Sequence, residues 1–190
     1  MVLLAGFGPG FSCVALAQVY TPVVPAFVPP AVYPDGVPDV SGRSTASERG
    51  GRSLSSDALT FRVDAARRKA NLANYVRKVA VQNPGSAAEL RELFGSTDLF
   101  ATIDTVIRPL GLSSSNLPDA YALWSMIAWD GARGVSGNPD RATAQAVKRQ
   151  AEAALLAAPE LASMTDAQKQ EAAESYLIQA LLITARVRTH

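Results

Sequence analysis

Near Ser56 the composition of this 190-residue chain changes abruptly, separating a front that cannot build a core from a back patterned for helices. Residues 1–34 carry no charged side chain, and Pro, Gly, Ser and Arg then dominate up to Ser56. From Asp57 onward apolar residues recur at the three- and four-residue spacing of buried helix faces. The expected organisation is a signal peptide over residues 1–17, a disordered linker over 18–56 and one helical domain over 57–190. The last part, about 130 residues long, is large enough to bury a core of its own.

The signal reading rests on an apolar stretch (Val2, Leu3, Leu4, Phe7, Phe11, Val14, Leu16) that ends in Ala15-Leu16-Ala17, a small-x-small cleavage pattern, so cleavage is expected after Ala17. No Lys or Arg precedes Arg43, whereas signals open with basic residues, which points to a natural start upstream of Met1. Pro9, Pro22, Pro25, Pro29, Pro30 and Pro34 interrupt the run of about 20 helical residues that a permanent membrane span needs. Cys13 is the only cysteine and lies in the predicted signal, so the mature chain is expected to hold no disulfide, thiol nucleophile or zinc-thiolate site. The Val/Pro/Tyr run from Val19 to Pro38 favours polyproline II, and Ser41 to Ser56 has too few apolar residues to fold. Together they read as a tether that carries the domain clear of the membrane.

Charge excludes a global attraction to nucleic acid: 18 basic and 17 acidic residues leave a net charge of +1. The distribution is uneven. From Asp57 to Gln82 six basic residues face two acids, a net of +4, whereas Asn83 to His190 has nine basic and twelve acidic residues, a net of −3. A basic first helix lying on a mildly acidic bundle is the expected arrangement.

The fold class expected for the back is an all-α compact bundle of five to six helices. A first stripe of Ala65, Leu72, Tyr75, Val76 and Val79 stops at Asn83-Pro84-Gly85, and Ser86-Ala87-Ala88-Glu89 reads as a capping box opening a second helix that ends at Gly95. Leu99, Ile103, Val106, Ile107 and Leu110 outline a third, with Pro109 near its end and Gly111 beyond. Asn116-Leu117-Pro118-Asp119 starts a fourth, apolar nearly all round and therefore expected in the middle of the bundle. Asn138-Pro139 is expected to cap an Ala-rich fifth helix that stops before Pro159, and Thr165-Asp166-Ala167-Gln168 to open a last one running to about Val187.

Phe61 to Ala185 resembles an uncharacterised family of secreted bacterial helical proteins, domain of unknown function family 6683. The likeness is carried by Arg67-Arg68 with Asn71-Leu72 and Tyr75-Val76, then Gly111-Leu112 with Asn116 and Asp119-Ala120-Tyr121, Trp124, Trp129, Ala146-Val147, Gln150, Gln170 and Glu174. The resemblance implies an exported all-α domain whose activity is unassigned.

On the last helix, steps of 100° per residue put Gln170 and Glu174 inside the stripe of Ala173, Leu177, Leu181 and Thr184. The same projection puts Arg68 between Ala65, Leu72 and Val79 on the first helix. A buried charge is costly unless paired, so Arg68 and Glu174 are expected to face each other, with Gln170 or Tyr75 adding hydrogen bonds. Glu174-Ser175 also looks like the opening of a lytic transglycosylase site, but only fifteen residues follow Ser175 and no Gly-Leu-Met-Gln segment is present. Trp124 reads as core and Trp129 as a residue able to face a partner or glycan. Ser113-Ser114-Ser115 lacks an activating base, Gly6-Phe7-Gly8-Pro9-Gly10 has no strand before it or Lys after it, and His190 is the only histidine. No catalytic, cofactor or metal residue is assigned, and no cofactor is expected. The function expected is a secreted or periplasmic, non-enzymatic module that binds another envelope or extracellular protein; the alternative is a small hydrolase of cell-wall or sugar substrates working through Glu174 or Asp119.

Overall fold

The computed structural model describes residues 56–135, 139–158 and 163–188. The expected signal peptide, nearly all of the linker, Cys13, Asn138, Pro159 and His190 lie outside the described residues. Within them the fold is all-α: α1 (Ala65–Gln82), α2 (Pro84–Ser96), α3 (Leu99–Ile107), α4 (Leu117–Ala132), α5 (Arg141–Leu156) and α6 (Asp166–Arg188). Short 3₁₀ turns cover Ser56–Leu59 and Arg108–Leu110, and the described residues contain no strand beyond one isolated antiparallel bridge, Thr60 with Asn116.

Side-chain caps set most of the helix starts. Asp64, Asn83, Asp98, Asn116 and Asp140 each accept a hydrogen bond from the backbone N–H three residues on, which satisfies a donor that the helix itself cannot. The Thr165–Gln168 box forms as its spacing predicts: Gln168 Oε1 accepts from Thr165 N at 2.9 Å and Thr165 Oγ1 from Gln168 N at 3.3 Å. Gly111 follows the 3₁₀ turn at φ 75°, the left-handed conformation that glycine adopts without strain.

Three expectations about boundaries need correcting. The cap of α2 lies three residues before the expected one, at Asn83 instead of Ser86, because Pro84, with no N–H to lose and a helical φ already fixed, occupies the first turn; the Ser86 N–H becomes the donor to Asn83 Oδ1. Gly95 lies inside α2, which ends at Ser96 with Thr97 as its cap. Asp140, rather than Asn138, caps α5, accepting from Thr143 N at 2.8 Å.

The middle of the bundle is α6, not α4. From Lys169 to Leu182 every residue of α6 except Glu171 and Gln179 is buried. A helix surrounded by others loses its amphipathic stripe, and α6 therefore mixes Leu177, Ile178 and Leu181 with the buried polar Lys169, Gln170, Glu174 and Ser175. Its most extensive partner is α4. Their approach is close enough that a Cβ on Gly131 would lie 2.5 Å from Ile183 Cγ2. Burial of Leu59, Phe61, Tyr75, Val79, Leu90, Phe100, Ile107 and Leu117 beside α4, α5 and α6 joins all six helices around one core.

Candidate functional site

Two buried carboxylates are the groups on which chemistry could rest, and each sits in its own polar cluster. Glu174, 1% exposed, points from α6 toward α1. Its Oε1 accepts from Arg68 Nε and from Gln170 Nε2, both at 2.9 Å, and its Oε2 accepts from Asn71 Nδ2 at 2.7 Å. The pairing of Arg68 with Glu174 is thus present, with Arg68 three-quarters buried and its guanidinium 4.2 Å from the ring centre of Phe100 on α3. Gln170 takes the supporting place expected of it, and Asn71 donates to the second carboxylate oxygen, a role expected of Gln170 or Tyr75. Its signal in the sequence was the three-residue spacing from Arg68, which puts both side chains on one helix face.

The amide of Gln170 does a second job. Its Oε1 accepts from Asp64 N at 3.0 Å and its Nε2 donates to Asp64 O at 2.9 Å, the two contacts a neighbouring β-strand would make. Two more α6 side chains hold the extended residues that lead into α1: Asp166 accepts from Arg62 N at 3.1 Å, and Lys169 Nζ donates to Thr60 O at 3.2 Å. The exposed Asp166 carboxyl lies below the usual range, first because of the Arg62 N–H and then because of Lys169.

Asp119, 2% exposed, lies on the first turn of α4. Lys148 on α5 brings its Nζ to 2.8 Å from Oδ1, and Ser113 N donates to Oδ2 at 2.9 Å. Burial pushes the Asp119 carboxyl above its ordinary value and nearby Glu152 adds to the rise, while Lys148 and the Ser113 N–H oppose it. Asp104 on α3 clamps the same serine loop, accepting from Ser114 N at 3.0 Å and Ser114 Oγ at 2.9 Å. Ser113 to Ser115 therefore form a loop pinned by two carboxylates ahead of the Asn116 cap. On the other side of the turn, Gln145 Nε2 donates to Leu110 O at 2.8 Å and Gly111 O at 3.0 Å.

Trp124 stands in an aromatic triad with Tyr121 and Tyr176, ring centres 5.3 to 5.7 Å apart, in tilted and edge-on arrangements that fill the α4–α6 contact. Trp129 is half-buried, with Arg133 at 6.0 Å from its ring centre, rather than projecting freely into solvent. Among the described residues no group of three or more His, Cys, Asp or Glu side chains is placed to hold a metal ion, and no helix is long and apolar enough to cross a membrane.

Searches against protein-family models, curated proteins and solved structures find no match to this chain.

Proposed function

We propose that this chain is an exported, non-enzymatic protein-binding module of the cell envelope or extracellular space, belonging to the secreted helical family that its sequence resembles. The observation that carries the reading is the state of Glu174. Both of its oxygens are taken by donors from Arg68, Asn71 and Gln170. A general acid or nucleophile needs a free oxygen facing substrate, so this carboxylate is better suited to fixing α1 on α6. The chemistry of the partner follows from α1: Arg67, Lys69, Arg77 and Lys78 are exposed on it, and the helix contains no acidic residue. An acidic protein surface complements that face, with attraction that weakens as salt rises.

The test is capture by full-length tagged protein from the native envelope fraction, compared with an Arg67→Glu/Lys69→Glu/Arg77→Glu variant. A partner enriched by the first and lost from the second supports the reading. Equal recovery with both removes α1 as the binding face. Mass spectrometry of the exported form checks the other half of the proposal, with Gln18 as the expected N-terminus.

One observation favours the hydrolase as a second reading: both Asp119 oxygens have partners, as those of Glu174 do, but burial pushes the Asp119 carboxyl above its ordinary value beside Lys148 and Glu152, an environment that general acids use once a donor is displaced. Release of soluble fragments from purified cell wall by the native protein, abolished in a folded Asp119→Asn variant, would establish it and displace the first.

A further inference from the structure

The residues preceding α1 are held as a bound peptide is held. Leu59 and Phe61, 1% and 7% exposed, enter the core, while Thr60 and Arg62 between and after them are exposed. Leu59 closes the 3₁₀ turn and the backbone is extended from Thr60 on, so the alternate burial is that of a turn leading into an extended ligand laid along a surface. The polar contacts read the backbone. Thr60 O accepts from Lys169 Nζ, Arg62 N donates to Asp166 Oδ2, and Phe61 N donates to Ser115 O at 3.2 Å beside the antiparallel bridge of Thr60 with Asn116. The seat is thus a groove between the first turns of α6 and the loop 113–116, with α5 beside the 3₁₀ turn that carries Leu59.

Attachment of α1 does not depend on this arm. Asp64 is fixed by Gln170 through its own N–H and C=O, and Arg68 and Asn71 are fixed by Glu174. Val63, 39% exposed, separates the two sets of contacts and provides a place to pivot. Residues 56–62 precede every α-helix of the described fold, so withdrawing them leaves the order of the helices intact. We infer that this groove is an interaction site whose partner is a second copy of the chain, two molecules exchanging residues 56–62 across the pivot at Val63. The same backbone contacts and the same two apolar seats are recovered in trans, so concentration decides which form is populated. A second copy is the occupant favoured because its arm brings the Leu-x-Phe spacing that fits the two seats, already joined to a helix that docks beside them.

The test is a disulfide across the bridge. Residues opposed in an antiparallel pair have Cα atoms about 4.5–5.5 Å apart, within the roughly 4.4–6.8 Å that a disulfide spans. Full chain carrying Cys13→Ser, Thr60→Cys and Asn116→Cys is refolded dilute and concentrated, then oxidised. The expected result is a covalent species of doubled mass whose share rises with concentration at refolding, alongside an intramolecular bond in dilute samples. Intramolecular bonds alone at every concentration overturn the proposal, and so does the absence of any bond, since residue 60 would then not lie beside residue 116. A cysteine-free check covers loss of the Asn116 cap: native mass spectrometry of co-refolded isotope-labelled and unlabelled full chain carrying only Cys13→Ser should show mixed dimers that vanish when Leu59→Ala/Phe61→Ala is added. Dimers that persist in that variant use another surface and sink the idea.

Discussion

Glu174 and Asp119 are buried to the same degree, 1% and 2% exposed, and each is paired with a cation about a quarter exposed, yet the protein accommodates them differently. Glu174 is met by an arginine and two neutral amides, so its two oxygens receive three hydrogen bonds. Asp119 is met by one flexible lysine and one backbone N–H, with Glu152 nearby, and its affinity for a proton rises. Burial alone does not decide what a carboxylate becomes. The number and kind of its donors do, and they make the α1–α6 seam a register lock, whereas at the α4–α5 corner burial raises the Asp119 carboxyl above its ordinary value.

Removing the lock gives the largest expected loss. Glu174→Ala leaves Arg68, Asn71 and Gln170 without their acceptor and should lower stability by about 3–5 kcal/mol in denaturant unfolding. Arg68→Ala should cost less because Asn71 and Gln170 still meet the carboxylate, and the double variant should lose less than the sum of the two. Strict additivity would show that the charges do not act as a unit.

At the other corner, Lys148→Met is expected to cost about 1–3 kcal/mol at neutral pH, less than Glu174→Ala, because Asp119 can take up a proton once its cation is gone. Its penalty should shrink as pH falls. A penalty equal to that of Glu174→Ala, unchanged by pH, would erase the contrast between the sites. Asn71→Ala probes one hydrogen bond to a charged acceptor and should cost about 1.5 kcal/mol by the same measurement.

The smallest effect is a difference of sign. The folded Asp119 carboxyl binds its proton more tightly than the unfolded one, so wild type should gain stability relative to Asp119→Asn as pH falls through the folded value. Asp166 is shifted the other way, so its contribution is present above the unfolded value and lost as pH falls through the folded one. Wild type should therefore lose stability relative to Asp166→Asn over that acidic range. Parallel melting curves of the three proteins against pH check both signs.

Local chemistry made much of the fold legible. Caps and turns act within three or four residues, so Asn116, Gly111 and the Thr165–Gln168 box could be read directly from the chain. Where two local signals competed, as at Asn83-Pro84 and Ser86, the choice went to the start with the preset proline, and the sequence reading placed that boundary three residues late. The Arg68–Glu174 pair was also legible, because each charge falls in the middle of an apolar stripe and needs a partner.

The sequence by itself determined which segments are helical, where most of them end, and that two charges must meet inside. Only the tertiary structure decided that α6 occupies the middle, that Lys148 answers Asp119, and that residues 59–64 lie in a groove read by Asp166, Lys169 and Gln170. Periodicity and capping are short-range and leave a trace in neighbouring letters. The partners of a buried polar group can stand more than a hundred residues away, as Arg68 does from Glu174, and which of the available donors reaches it is fixed by how the helices pack.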